Sequence, residues 1–161
     1  MMIDMIKEDI PFDVTFVFTV QEEIGTRGAG CAAFTVNPDF AIVLESTTAC
    51  DISGSDDENK VCCFGEGAVV SFMDKSTIYD RELYKLAFKT AEEIGVKCQT
   101  KTKVAGGNDS GAIHKAAGGI RTTAISVPTR YLHTASCVVD LGDVTATEKL
   151  AQAMYNKLCK L

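Results

Sequence analysis

The apolar positions of the chain fall into short runs that predict β-strands. Residues 13–20 read Asp-Val-Thr-Phe-Val-Phe-Thr-Val, and such a β-branched and aromatic run predicts a strand covered on both faces. Further buried strands are predicted at residues 40–44, 68–73 and 121–127. Residues 98–104 alternate polar and apolar positions, which is typical of a strand with one solvent-facing side.

Helical periodicity occupies the stretches between these strands. Asp80 is a predicted N-cap of a helix that Gly95 closes, and residues 145–148, Thr-Ala-Thr-Glu, form a capping box that predicts the start of the last helix. Shorter helices are predicted near residues 1–9, before Pro11, and at residues 26–34 and 112–117. Strands that alternate with helices predict an α/β sandwich.

Titratable side chains stand where three of the predicted core strands end. Glu22 and Glu23 follow the first strand, Glu45 follows the second, and His133 follows the strand at residues 121–127. Charged residues are seldom placed beside a core unless they are paired, bind metal or take part in catalysis. Because ligands of α/β sheets gather at the carboxyl ends of the strands, we expect these four side chains to share one rim.

One histidine and two or three carboxylates at a common rim resemble the ligand set of a divalent metal. A carboxylate that is not a ligand could take the proton from an attacking water. The adjacent Glu22 and Glu23 could divide these two roles between them. The residues alone leave open the plainer alternative, in which the acids are polar strand ends satisfied by caps and surface ion pairs.

A glycine-rich loop adds a second candidate feature. Residues 106–111 read Gly-Gly-Asn-Asp-Ser-Gly, and a glycine loop at a helix N-terminus can hold an anion or a carbonyl oxygen. Gly107 and Asn108 are therefore candidate substrate-binding residues, while Asp109 is expected to be an N-cap. His114 has no second ligand at helical spacing and is expected to be structural or exposed.

Composition narrows the classes of function. The 161 residues carry a net charge of −6, which argues against a nucleic-acid-binding surface. No apolar run is long enough to cross a membrane, and the first nine residues lack the pattern of a secretory signal. Seven scattered cysteines without a C-x-x-C pair are typical of buried thiols in a reducing compartment. We therefore expect a single cytoplasmic domain without nucleic-acid or membrane partners.

Three strings of the sequence together resemble the tetrahedral-aminopeptidase family of metallopeptidases. They are Phe-Val-Phe-Thr-Val-Gln-Glu-Glu-Ile-Gly at residues 16–25, Gly-Gly-Asn-Asp-Ser-Gly-Ala-Ile at residues 106–113, and Ile-Ser-Val-Pro-Thr-Arg-Tyr-Leu-His at residues 125–133. The resemblance runs from about residue 12 to residue 158. The family includes glutamyl aminopeptidases and proteins often labelled endoglucanase.

The resemblance implies a mixed sheet with helices on both faces and an activity that removes N-terminal residues from peptides. It implies that Glu22 is the general base and that Glu23, Glu45 and His133 are ligands of zinc or cobalt. The position of Glu45 is usually Asp in the family. Members also carry an oligomerisation domain that is inserted upstream and is absent from residues 1–161, and we expect homo-oligomers or an association with a missing N-terminal half.

The resemblance also implies that ligands are missing. Family members carry a His-x-Asp motif and a metal-bridging Asp upstream of the paired glutamates, and residues 1–161 contain neither. We therefore expect the C-terminal portion of a catalytic domain, with weak or no activity by itself. Without metal, clustered carboxylates repel one another, which raises their pKa values.

Two other classes of function remain open at this point. The fold could persist as a non-catalytic, self-associating or partner-binding module whose exposed sheet edge is covered by another chain. A glycosidase would need two carboxyl groups flanking a sugar and usually a platform of aromatic residues. The chain has no Trp, and sequence neighbours such as Glu22 and Glu23 are poorly placed to face each other across a substrate.

Overall fold

The computed structural model describes residues 1–7, 10 and 12–161, and this part of the chain folds as a sheet flanked by helices. The helices are α1 (Met2–Met5), α2 (Arg27–Val36), α3 (Arg81–Glu93), α4 (Ser110–Ile113) and α5 (Leu141–Leu158), and a 3-10 helix spans Asp57–Asn59. The strands are β1 (Phe40–Thr48), β2 (Ala68–Val70), β3 (Cys98–Thr100), β4 (Arg121–Arg130) and β5 (Val138–Val139).

The sheet is mixed and open. Its order is β1-β4-β2-β3, with β5 paired to the end of β4. Strands β1 and β4 are parallel over nine residue pairs, β2 and β3 are parallel, and β2 runs antiparallel to β4. The outer edge of β1 pairs with no other strand among the described residues. The predicted α/β class is confirmed.

Helices cover both faces of the sheet, as predicted. Because side chains alternate along a strand, Ile125 and Ala124 of β4 point to opposite faces. Ile125 belongs to a core that α3 and α5 complete, with Leu150 and Met154 fully buried. Ala124 instead packs with Val43 on the face that α4 covers. No helix in the described part of the chain is long and apolar enough to cross a membrane.

The predicted strand at residues 13–20 is not formed: these residues belong to no strand and pair with no strand among the described residues. Phe18 is 81% exposed and Val20 is 64% exposed, and Val14 and Val17 are exposed as well. The prediction of a strand buried on both faces is therefore wrong for this part of the chain. A buried central strand needs a paired strand on each edge and packing on both faces, and the described residues provide no strand pairing for this run.

Several element boundaries also differ from the prediction. Strand β1 continues past residue 44 to Thr48, so Glu45 lies inside the strand and not beyond its end. Strand β4 likewise continues to Arg130, whereas β2 and β3 stop after three residues each. Strand β1 is longer than predicted because it pairs with β4 over nine residues, which gives its backbone N–H and C=O groups hydrogen-bond partners. Residue types alone do not reveal such pairing.

The helix starts are shifted too. Helix α5 begins at Leu141, because the Asp140 side chain accepts hydrogen bonds from the N–H groups of Gly142 and Asp143; the capping box predicted at residues 145–148 lies inside the helix. Helix α3 is capped by Asp80 as predicted. Helix α1 ends at Met5, and the predicted continuation over residues 8 and 9 and the break at Pro11 lie outside the described residues.

We expect the Gly67→Ala variant to lose about 2–4 kcal/mol of unfolding free energy, from left-handed backbone strain combined with overpacking. Gly67 has φ +85°, and an added Cβ would overlap the carbonyl of Lys97. Gly65 is the matched control, because its φ is +83° and a Cβ would meet nothing within 4 Å. Both backbone N–H groups donate to the buried carboxylate of Asp143. Urea unfolding of the two variants measures the difference, and equal losses would contradict the packing explanation.

Candidate active site

A tight turn, residues 20–28, holds the paired glutamates, and we call it the acidic turn. The N–H of Gly28 donates to the carbonyl of Val20 at 3.0 Å, and the N–H groups of Gly25 and Thr26 donate to the carbonyl of Glu22. A Cβ at Gly28 would lie 2.7 Å from the Val20 carbonyl oxygen. Only glycine permits this approach, so the geometry of the turn depends on Gly28.

Backbone strain is concentrated around the candidate residues. Gln21 and Thr26 in the acidic turn have φ values of 63° and 52°, and Tyr131 and His133 have φ values of 61° and 60°. Residues other than glycine adopt this left-handed region at a cost of about 1–3 kcal/mol each. Such strain is common where a backbone must aim particular side chains, here Glu22, Glu23 and His133.

A buried carboxylate anchors the segment that leads into the acidic turn. Thr19 Oγ1 donates to Asp109 Oδ2 at 2.6 Å, and Asp109 is 5% exposed. Asp109 stands at the N-cap position of α4, but its side chain makes no capping hydrogen bond. The predicted capping role is therefore wrong, because the carboxylate faces the glutamate-bearing segment instead of the helix N–H groups.

The acidic turn, the residues after β4 and the glycine loop meet at one cavity of about 460 Å³. Glu22, Glu23 and His133 line it, together with Gly107 and Asn108. The structure thus brings together five of the six residues that the sequence singled out.

Glu23 and His133, two of the candidate metal ligands, lie close together. Their Oε1 and Nδ1 atoms lie 3.6 Å apart, and both side chains are mostly exposed, at 74% and 67%. Glu45 is half-buried on β1 and does not line the cavity. Among residues 1–7, 10 and 12–161, no three His, Cys, Asp or Glu side chains converge in a way that could hold a metal ion. Two of the three predicted ligands are close together, and the described residues do not complete a metal site.

Burial and like charges raise the pKa values of the Glu22 and Glu45 carboxyl groups. Partial burial raises the pKa of Glu22, and the neighbouring charges of Glu23 and Asp109 raise it further, while His133 opposes the shift. Burial also raises the pKa of Glu45 to about 7, with added repulsion from Glu22 and Asp109. Each carboxyl therefore holds its proton to a higher pH than an isolated glutamate does.

The glycine loop is fixed from behind by a buried network. Asp74 accepts hydrogen bonds from the N–H and hydroxyl of Ser76 and from the hydroxyl of Tyr79. The Asn108 amide donates to that tyrosine oxygen at 3.1 Å, and its own oxygen accepts from the N–H of Ser110. A Cβ at Gly107 would lie 2.8 Å from the Ser76 hydroxyl. The Asn108 side chain is thus engaged in structure, and what it presents to the cavity is backbone.

Sequence reasoning missed several residues of this site. Ser76, Thr26 and Lys115 line the cavity, and Asp109 acts on it through Thr19 and through its charge. Only Asp109 carried a signal, as an acid inside the glycine-rich string. Ser76 reaches the cavity through a turn that lies 30 residues before the loop it supports, and no local pattern marks it. His114 contacts the carbonyl of Ser110 at 2.7 Å, in keeping with its expected structural role.

Comparison with known proteins identifies related chains. A family model described as M42 glutamyl aminopeptidase matches residues 1–150. A putative aminopeptidase of Acetivibrio thermocellus is 39% identical over 138 residues, which are 86% of this chain and 41% of the relative. The glutamyl aminopeptidase of Lactococcus lactis subsp. cremoris is 30% identical over 94% of this chain, and the lysyl aminopeptidase of Pyrococcus furiosus is 31% identical over 91%; the match spans 41% of each relative.

Solved structures share the fold. Aminopeptidase APDkam598 from the archaeon Desulfurococcus kamchatkensis superposes with a TM-score of 0.81 at 29% identity, covering 84% of this chain and 39% of that one. The TET1 peptidase of Pyrococcus horikoshii, which assembles into a tetrahedron or a large octahedral shell, gives a TM-score of 0.72 at 33% identity over 85% and 39% of the two chains. The chain therefore spans about two-fifths of the length of these relatives.

The raised pKa of Glu45 predicts a pH-dependent stability. Because the folded state holds this proton more tightly than the unfolded state, the stabilisation is complete below the ordinary pKa of 4.5 and is lost as the pH rises through about 7. We expect Glu45→Gln to raise the Tm of the metal-free chain at pH 8 and to leave it nearly unchanged at pH 4. Thermal melts with a chelator measure this, and Glu92→Gln on the exposed face of α3 is the control. An equal effect at both pH values would contradict the electrostatic cause.

Proposed function

The chain belongs to the M42 glutamyl aminopeptidase family, and we propose that it carries the catalytic base and part of the metal site of a metal-dependent aminopeptidase. The observation that carries the proposal is the acidic turn at the cavity, where Glu22 and Glu23 stand beside His133. The reaction is the hydrolysis of the first peptide bond of a peptide substrate.

Glu22 is the proposed general base. It would accept a proton from the attacking water and return it to the leaving amine, so that the peptide bond breaks without net proton uptake. Burial and the charge of Glu23 raise the pKa of Glu22, which strengthens it as a proton acceptor. The turn fixed by Gly28 and the hydrogen bond between Thr19 and Asp109 keep its backbone in place.

The proposed cofactor is a divalent ion, zinc or cobalt, as the family resemblance implies. Imidazole and carboxylate suit such ions, and the separation of 3.6 Å between Glu23 and His133 fits a pair that shares one ion. Glu45 is the proposed third ligand, but it does not converge with that pair in the described part of the chain. The remaining ligands would have to come from another polypeptide segment.

The glycine loop is the proposed substrate-binding element. Among the described residues, no hydrogen bond engages the backbone N–H groups of Gly107 and Asn108, and both residues line the cavity. Free N–H groups there could bind a carbonyl oxygen of the peptide. Relatives named glutamyl and lysyl aminopeptidase are nearly equally similar to this chain, so family membership leaves the preferred N-terminal residue open.

We further propose that residues 1–161 correspond to the C-terminal portion of the catalytic domain and have weak activity or none alone. The support is that the chain spans about two-fifths of its relatives and that its candidate ligands do not complete a site. The upstream ligands and the oligomerisation domain that the resemblance implies would then lie in the missing N-terminal half.

Replacing the proposed base tests this function. We expect Glu22→Gln to lower kcat about 10²–10⁴-fold, the usual contribution of a general base, in an assay of aminoacyl amides with cobalt or zinc. Metal affinity, measured by isothermal titration calorimetry, should stay the same in Glu22→Gln and fall in His133→Ala.

The chain is assayed alone and after mixing with the N-terminal part of a relative that has no counterpart in this chain. Glu92→Gln is the control variant. Retention of full activity by Glu22→Gln would overturn the assigned base. Full activity of the lone chain would overturn the proposal that it is incomplete.

A second candidate is a non-catalytic self-associating or partner-binding module, and the exposed segment at residues 12–20 favours it. Phe12, Val17 and Phe18 are all exposed, the outer edge of β1 is unpaired within the described residues, and such surfaces are typical of interaction sites. The related TET1 peptidase assembles into large shells. We propose that this chain forms homo-oligomers or associates with the missing N-terminal half through this surface.

Light scattering after gel filtration tests the association. We expect assemblies larger than one chain, and we expect Phe18→Ser to shift them towards monomer because it removes an apolar side chain that is 81% exposed. Ile78→Ser is the matched control, because Ile78 is 73% exposed elsewhere on the surface. A wild-type monomer at all concentrations would contradict self-association.

A glycosidase finds little support in the described residues. Among these, the cavity is lined mainly by acids, small polar residues and glycines, with no aromatic platform for a sugar ring. Failure to release reducing sugar from carboxymethyl cellulose would be the expected result of a direct assay.

A further inference from the structure

The turn at residues 74–77 places a serine hydroxyl at the cavity, beside the glycine loop. Ser76 is one of the residues that line the cavity. Its side chain packs against two glycines, because a Cβ added at Gly107 or at Gly111 would overlap the Ser76 hydroxyl. The loop and the first turn of α4 therefore leave room for this one side chain.

The proton of the Ser76 hydroxyl is committed to a buried carboxylate. Ser76 Oγ donates to Asp74 Oδ1 at 3.0 Å, and the N–H groups of Ser76 and Thr77 donate to the same oxygen. The hydroxyl of Tyr79 donates to Asp74 Oδ2, and Asp74 is buried. With these four donors around it the carboxylate acts as an acceptor, and a hydroxyl has a single proton to donate. What Ser76 Oγ can offer a ligand in the cavity is therefore a lone pair.

The glycine loop presents the opposite kind of group. The carbonyl of Gly106 accepts a hydrogen bond from the N–H of Lys75 at 2.8 Å. In a trans peptide unit the C=O and N–H groups point in opposite directions, so the N–H of Gly107 points away from the Lys75 N–H. Within the described part of the chain, nothing accepts a hydrogen bond from the N–H of Gly107 or of Asn108, and both residues line the cavity. The loop thus supplies hydrogen-bond donors where Ser76 supplies an acceptor.

We propose that Ser76 is a substrate-binding residue whose Oγ accepts a hydrogen bond from a main-chain amide N–H of a bound peptide. The loop N–H groups donate to a carbonyl of the same peptide. The inference rests on the proposed aminopeptidase function and deepens it, because it names the part of the substrate that is recognised: the main chain beyond the first residue. The charged Glu22 and Glu23 attract the α-ammonium group of the peptide, which leaves a neutral amide N–H for the neutral hydroxyl of Ser76.

Peptides that lack one main-chain N–H at a time test this contact. The probes are alanyl-alanyl-alanine amide and its two analogues in which one internal amide nitrogen is methylated. Their affinities for the ¹⁵N-labelled full chain are measured by NMR with a chelator present. We expect one analogue to bind about fivefold more weakly than the parent, as for a net neutral hydrogen bond. In Ser76→Ala the parent should weaken about fivefold, and that analogue should lose nothing further, because the two changes remove the same contact.

Two variants separate the lost hydrogen bond from a change of shape. Ser76→Cys keeps a side chain of similar size, but sulfur is a weak acceptor, so the affinity for the parent peptide should fall as in Ser76→Ala. Ser53→Ala removes an exposed hydroxyl that does not line the cavity, and its affinities should match those of the wild type.

Three results would overturn the proposal. The first is an unchanged affinity of Ser76→Ala for the parent peptide. The second is a loss by the same factor for all three peptides in Ser76→Ala, as a loosened glycine loop would produce. The third needs no variant: equal affinity of the wild-type chain for all three peptides, or undetectable binding of each.

The binding measurement also separates this contact from the proposed reaction. A preference for the unmethylated peptide that depends on Ser76 would support the contact even if nothing is hydrolysed, and the hydrolytic function alone would then fail. Hydrolysis of the parent peptide with the same KM in Ser76→Ala and wild type would leave the aminopeptidase function standing and overturn the role of Ser76.

Discussion

Burial of carboxylates, reinforced by repulsion between them, governs the rim that Glu45 of β1 and the acidic turn share. Partial burial is the main reason why the pKa values of Glu22 and Glu45 are raised, and repulsion from Asp109 raises both further; Glu22 also repels Glu45. His133 opposes this repulsion for Glu22. The fold tolerates the crowding because the backbone is fixed by contacts that do not depend on charge, above all the close approach of Gly28 to Val20. The rim is therefore a preformed, proton-binding and cation-attracting surface.

Few contacts hold the exposed segment at residues 12–20, which leads into the acidic turn. The position of the turn therefore depends on those few contacts. Burial of a large apolar side chain is worth about 1.5–3 kcal/mol, and Phe18 and Val20 leave most of that free energy unrealised. Three features hold the segment in place. The Thr19 hydroxyl donates a hydrogen bond to Asp109, the Tyr155 hydroxyl donates one to the carbonyl of Phe12, and the Gly28 N–H closes the turn by donating to the carbonyl of Val20. A chain that covered the apolar side chains would hold the acidic turn more firmly, so association and catalysis would be coupled through one element.

The sequence sufficed for the fold class, for α3 with its Asp80 cap and for the group of residues at the cavity. Prediction from the sequence failed where pairing between distant segments determines the structure. The apolar run at residues 13–20 has the composition of a central strand, yet no strand among the described residues pairs with it. Glu45 lies inside β1 because β4 continues alongside it. Ser76 and Lys115 were missed because tertiary packing alone brings them to the cavity.

The proposed base and the proposed metal site differ in the contacts that build them. Mostly local contacts position the base, whereas the metal site depends on residues that are distant in sequence. The proposed base, Glu22, is positioned by hydrogen bonds that close within nine residues, together with one hydrogen bond from Thr19 to Asp109. A metal site needs three or more ligands held at fixed distances. Of the three proposed ligands, Glu23 and His133 come close together in the described part of the chain, from distant parts of the sequence. The position of the proposed base is therefore specified by contacts within the described residues, whereas metal binding would require additional ligands that these residues do not provide.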